Sequence, residues 1–279
     1  LLPVVPLYWL LGWALDGAAI LLVLQTVALG GAAVPIYALG RRSLGPAPGL
    51  AVALSYLLYP ALGYLNLFEF HPGALAVFFL AWALYHFHVA NWRCFLAFMI
   101  LALACREDVA LPVLMIGLYG LYRYRPWRRR PGWAHWRWSV VPAVAAVVYF
   151  LLAVQVIIPA FSAPDQTTSP FVELYAYLVE APDGGPPPSV AAIVARVLTH
   201  PLASLQQAAA TGNKHLGLYV WHLLAPTGGL PLLAPVSLLM AVPSFLQNAL
   251  AQKWTPATIF YQYTANLIPL LFYSLILGW

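Results

Sequence analysis

The stretch LALACREDVALPVL, residues 101–114, carries three adjacent charges, Arg106, Glu107 and Asp108, in a chain only 8% charged. Their types define a small chemistry. An arginine presents a planar fork of donors that can grip a phosphate at two points. A carboxylate can take the proton of a hydroxyl as general base, or hold a divalent cation such as Mg²⁺ or Mn²⁺. Together these parts suit transfer of a group from a membrane-embedded phosphate carrier to a hydroxyl. They suit an ion or proton pathway equally well, because ionisable residues inside a membrane mark such routes.

The apolar runs on either side, Cys94–Cys105 and Val109–Leu121, have 12 and 13 residues. Each gives ~18–20 Å of helix, too little to cross a core of ~30 Å. In one straight helix the triad would sit near the bilayer centre, where each charge costs roughly 2.5–3.5 kcal/mol. No helix face hides three consecutive residues, so a turn is expected, facing protein or a water-filled cavity below the headgroups. A second polar motif, FEFHP (68–72), supplies Glu69 and His71. A third, YQYT (261–264), supplies Gln262 and Tyr263. The third joins the others only if Leu216–Leu250 folds as a hairpin at APTGGLP (225–231) rather than as one kinked span.

The elements that must position these motifs follow from composition. The chain has 279 residues, 63% of them hydrophobic, and a mean hydropathy of +0.81. Soluble domains are near half apolar and a quarter charged. Apolar runs recur at Gly17–Leu39, Gly49–Leu65, Gly73–Val89, Val140–Pro159 and Ile259–Trp279. The reading is an all-α fold, a polytopic transmembrane helical bundle of about eight to ten membrane helices. The opening LLPVVPLYWL lacks a Met and a basic leader. It reads as a fragment without the N-terminal helix and first outer loop, residues 1–279 forming a single membrane domain.

Alternate threading of the spans places Arg41, Arg42, Arg93, Arg123, Arg125, Arg128, Arg129, Arg130 and Arg137 on one side. The positive-inside rule makes that side cytoplasmic. Asp16, Glu69, Glu107, Asp108, Asp165, Glu173, Glu180 and Asp183, all the acids of the chain, fall on the other, extracytoplasmic side. The net charge of +5 is therefore a topology signal and not a nucleic-acid signal; the basic loop Arg123–Arg137 suits anionic lipids. His86 and His88 lie at the cytoplasmic end of a span beside Trp92 and read as interfacial residues, with no partner cluster for a metal. Cys94 and Cys105, ~16 Å apart on one helix, are too distant for a disulfide. Residues 161–213 form one longer extracytoplasmic segment. In it Ile193, Val194, Val197 and Leu198 share a helical face after the linker APDGGPPPS. That helix lies on the membrane surface or packs on the outer ends of the bundle.

The stretches LSYLLYPALGYLNLFEFHPGALAVFFLAWALY and CREDVALPVLMIGLYGLYR, followed by YQYTANLIPLLF, resemble the bacterial predicted membrane proteins of domain-of-unknown-function family 2079. The likeness spans most of the chain, and FEFHP with REDVAL is its specific element. It implies a multi-pass GT-C-like fold, whose enzymes move a sugar from a polyprenyl-phosphate carrier to an acceptor on the outer face of the bacterial inner membrane. On that analogy Glu107, Asp108, Glu69 and His71 match the family's polar motif residues and are the catalytic candidates, with Glu107 and Asp108 also the metal candidates. Arg106, which stands where the family commonly has Lys, would pair with the carrier phosphate. Tyr263 and Gln262 would contact sugar or carrier, Gln262 standing where a His often precedes the Tyr. The implied partners are the bilayer, a lipid-linked sugar donor and anionic lipids, with no nucleic acid. GT-C enzymes usually carry a catalytic acid in the first outer loop, and Asp16 does not fill that place. A multi-pass transporter or lipid flippase is the rival class, although no internal repeat is evident; a non-catalytic scaffold is the third. A large amphipathic outer segment beside the charged pocket would favour the transferase.

Overall fold

The computed structural model describes residues 5–125, 133–161, 170–179, 188–211 and 215–279. Among these residues the regular structure is helical, without strands. The helices in chain order are α1 Val5–Leu11, α2 Gly17–Gly31, α3 Ala33–Leu44, α4 Pro46–Leu57, α5 Pro60–Leu67 and α6 Pro72–His88. Then come α7 Trp92–Leu103, α8 Ala110–Tyr124, α9 Trp133–Leu152, α10 Ile158–Phe161, α11 Pro170–Tyr175 and α12 Val190–Thr199. The last are α13 Pro201–Ala210, α14 Leu216–Leu224, α15 Pro235–Leu238, α16 Val242–Leu250 and α17 Leu267–Gly278.

Among the described residues two continuous stretches are long and apolar enough to cross a membrane, Gly17–Leu44 and Ala134–Phe161, each of 28 residues. The pair α4 and α5, bent by 42°, passes as a third. Other apolar helices have 10–17 residues. Counting apolar runs thus gives more membrane helices than length alone supports. Proline is the reason. The chain has 25, and α4, α5, α6, α13, α15 and α16 each carry one at the first or second helical position. A proline is pre-organised for that place but biases its predecessor away from the helix. Tyr59, before Pro60, is extended at φ −66° and ψ 121°.

Helices α6, α7, α8 and α9 pack as an antiparallel set, α6 against α7 and α8 against α9. The α8–α9 crossing depends on small residues. A β-carbon on Gly120 would stand 2.5 Å from the Trp138 carbonyl oxygen, and one on Gly117 2.8 Å from that of Ser139. Such close backbone approach is how membrane helices associate without a hydrophobic driving force. Ser139 Oγ donates to the Gly117 carbonyl at 2.6 Å. Helix α17 is buried along nearly its whole length, and Phe272 receives the edges of Tyr56 and Tyr59 at 5.3 Å.

The segment Leu216–Leu250 is a hairpin. Gly228 and Gly229, at φ +62° and +69°, make the turn, a conformation that costs glycine little. The arms meet at Tyr219, which stacks on Phe245 at 5.5 Å and accepts at Oη from Asn248 Nδ2 at 3.0 Å. A small second core joins α11, α12 and α13 to the end of α16 through Val172, Tyr175, Leu178, Ile193, Ala208, Leu250 and Ala251. In α12, Ile193 is buried there while Val194 and Leu198 are exposed. One half of the expected apolar stripe packs on the bundle, and the other half remains a free apolar face.

Candidate functional site

The triad folds as expected of three charges between two short helices. Helix α7 ends at Leu103, Arg106 is extended at φ −155° and ψ 153°, and Glu107–Val109 form one 3₁₀ turn that leads into α8. Arg106 Nη2 lies 3.1 Å from Asp108 Oδ2, with the side chains 22% and 12% exposed. The second Asp108 oxygen is buried and accepts no hydrogen bond from a described residue. Glu107 makes neither a hydrogen bond nor an ion pair with a described residue. Its charge and that of Asp108 act on Tyr149 of α9.

The FEFHP loop is held from below. Gln25 of α2 is fully buried. Its Nε2 donates among the carbonyl oxygens of Leu65, Asn66 and Phe68 at 3.2–3.3 Å, and its Oε1 accepts from the His71 backbone N–H at 3.1 Å. One side chain therefore satisfies several backbone groups at the end of α5 and the start of α6. Within the loop, His71 Nδ1 is 2.8 Å from the Glu69 carbonyl oxygen. The Glu69 carboxylate is 76% exposed and stands 4.0 Å from His71 Nε2.

The YQYT segment closes on this loop. The Phe68 ring lies between His71 at 5.4 Å and Tyr261 at 5.5 Å. Asn248 Nδ2 donates to the Tyr263 carbonyl at 2.9 Å and so anchors the segment to the hairpin. Gln262 Oε1, Thr264 Oγ1 and Asn266 Oδ1 are buried without a hydrogen-bond partner among the described residues. All three motifs meet at Gly73, the second residue of α6. A β-carbon placed there would stand 3.5 Å from both Arg106 Cδ and Ala265 Cβ. With that convergence, the family assignment acquires a place in space. The family described as predicted membrane protein (DUF2079) matches over residues 1–279. The chain belongs to that family. No curated protein and no solved structure matches it.

In this DUF2079 member the seven expected site residues gather at one end of the bundle, here called the acidic end. Helix α11 lies beside it through Tyr175. Tyr175 Oη donates to the Gln247 carbonyl at 2.8 Å. Burial first, then the nearby Asp108 charge, pushes the Tyr175 phenol above its ordinary range, with Tyr177 and Tyr263 adding to the effect. Sequence reasoning missed Gln25, Asn248, Tyr149 and Tyr175. Gln25 left one signal, a lone amide inside the apolar run ILLVLQTVAL.

The metal expectation has a narrower basis. Among the described residues no group of three His, Cys, Asp or Glu side chains gathers as a metal cage. The Arg106 charge beside Asp108 opposes a bare cation there. These residues do not fit a resident ion, and no step below uses one. Asp16 has a structural role: its side chain caps α2 by accepting from the Ala19 N–H at 2.8 Å. His86 stacks on Trp82 and Phe98, both at 5.6 Å, and His88 Nδ1 is 3.3 Å from Tyr273 Oη. Both cysteines are free thiols. Asp165, Glu180, Asp183, Arg128, Arg129 and Arg130 lie outside the described residues.

Proposed function

We propose that this integral membrane protein is a glycosyltransferase of GT-C-like kind. It transfers a sugar from a polyprenyl-phosphate carrier to an acceptor hydroxyl at the acidic end, which faces the extracytoplasmic side. The basic loops are cytoplasmic and attract anionic lipids by surface charge. The observation that carries this reading is the convergence at Gly73. There the Arg106 side chain, paired with Asp108, stands beside the start of α6 that follows FEFHP and near Ala265, which follows YQYT.

In the proposed reaction Glu107, which has no partner among the described residues, takes the acceptor hydroxyl proton. The acceptor oxygen forms a bond to the anomeric carbon as the bond from that carbon to the carrier phosphate breaks. The phosphate leaves with the electron pair, and Arg106 stabilises the added charge. Asp108 orients Arg106 and keeps it from collapsing onto Glu107. Glu69 and His71 line the acceptor side. Gln262 and Tyr263 face the sugar or carrier, where hydroxyls can supply the donors that Gln262 Oε1 lacks. The outer segment beside Asp108 supports transfer over transport, because closure excludes water from a reactive donor.

The test is release of free carrier phosphate by the protein in membranes, from a panel of polyprenyl-phosphate sugars with Mg²⁺, with Mn²⁺ and with EDTA. Glu107→Gln should abolish release while leaving membrane insertion intact; unchanged turnover removes the assignment. A specific observation favours the rival class. Helices α4 and α5 form a broken pair bent by 42°, and broken helices often build transport sites. Uptake or lipid scrambling by reconstituted vesicles, without release from any donor, would establish that reading instead.

A further inference from the structure

The opposite, basic end holds a cavity of about 650 Å³ lined by Ala90, Arg123, Tyr124, Arg125, His135, Arg137 and neighbours. That volume lies within the ~300–1,000 Å³ of small-ligand sites. Its cations have no carboxylate partner among the described residues, where the ion pairs, His71–Glu69 and Arg106–Asp108, lie at the acidic end. Arg137 is fixed without one. Its guanidinium stands 5.0 Å from the Trp92 ring and 5.8 Å from that of Trp138. Tyr124 stacks on Trp138 at 4.8 Å, and its hydroxyl is spent on the Phe87 carbonyl. Arg137 Nε and His135 Nδ1 are buried without partners among the described residues. A buried N–H left unpaired costs ~1–3 kcal/mol. A pre-positioned guanidinium with an unpaired N–H, and an imidazole beside it, stand over an aromatic floor and suit an oxyanion.

We propose that this cavity is a binding site for a phosphate group, supplied by an anionic lipid headgroup or by a soluble phosphate compound. It is independent of the transferase reading. It also differs from diffuse attraction to a charged surface, because one arginine is held rigid and the aromatic side chains leave phosphate as the partner of the donors. Arg137 would contact the phosphate in two-point geometry, with His135, Arg125 and Arg123 around it.

The experiment measures the thermal midpoint of the whole protein in nanodiscs of phosphatidylcholine. One arm adds phosphatidylglycerol to the bilayer, and the other adds inorganic phosphate or pyrophosphate to the buffer. Variants are Arg137→Gln, Arg125→Gly and, as a control from the same end but outside the cavity, Arg93→Gln. Arg125→Gly guards against misfolding, since Arg125 sits at φ +40° where glycine is the less strained residue. Stabilisation of the wild type and Arg93→Gln in either arm, lost in both cavity variants, establishes the site, and the responding arm identifies the source. No stabilisation in either arm overturns the proposal. Equal loss in Arg93→Gln and the cavity variants also overturns it, since that is the behaviour of a diffuse charged surface.

Discussion

The two ends of the bundle handle charge in opposite ways. At the acidic end Arg106 and Asp108 pair at 3.1 Å, and a buried amide clamps the adjoining loop. At the basic end Arg137 is held by tryptophan rings, with no carboxylate partner among the described residues. The difference follows from position. The triad sits between α7 and α8 against α9, with Arg106 beside Gly73 of α6 and the Arg106–Asp108 pair mostly buried, so its charge must be compensated within the protein or by a ligand. The arginines of the basic end keep access to water or headgroups, where a counter-anion comes from outside. A compensated pair can be aimed at a reacting group, and an uncompensated cluster collects anions.

This contrast can be broken from either side. The largest effect is expected for Asp108→Leu, which leaves the Arg106 guanidinium without its partner. Removing one member of such a pair costs ~3–5 kcal/mol, and thermal unfolding in detergent should show it. Adding Arg106→Met should recover most of that loss; a double variant no better than the single would mean that the pair does not govern local stability. Next is Gln25→Leu, which strands several backbone groups of the FEFHP loop at ~1–3 kcal/mol each before relaxation. Hydrogen exchange should rise across residues 65–71 and stay unchanged at the basic end. At Gly73 the space decides the outcome. An alanine methyl fits at 3.5 Å, an ordinary contact, so Gly73→Ala should stay near wild type in transfer. Gly73→Leu should displace Arg106 and lose transfer while the basic end binds as before. The smallest effect is expected for the stability of Arg137→Gln without phosphate, ~0.5–1 kcal/mol for the lost cation–π contacts. A loss as large as that of Asp108→Leu would make Arg137 a structural keystone and erase the contrast.

The sequence determined more of this protein than its chemistry alone would suggest. Apolar runs with few charges force helices, because backbone groups in hydrocarbon must be bonded within their own segment. The three adjacent charges had to break a helix, and they do so between Leu103 and Ala110. The segregation of acids and arginines under alternate threading set the expectation of two oppositely charged sides. FEFHP and REDV were legible as candidates because polar residues are costly where they stand. Tertiary structure alone decided what these residues do to one another. Whether Leu216–Leu250 turned back depended on Tyr219 finding Phe245 and Asn248, contacts made across the hairpin and invisible to periodicity. That turn brings YQYT to FEFHP. Gln25 clamps a loop some forty residues away, and Tyr175 bonds the Gln247 carbonyl across a longer separation still. Pairing across such distances is set by packing geometry and by the cost of burying polar atoms unsatisfied. A local sequence window carries neither.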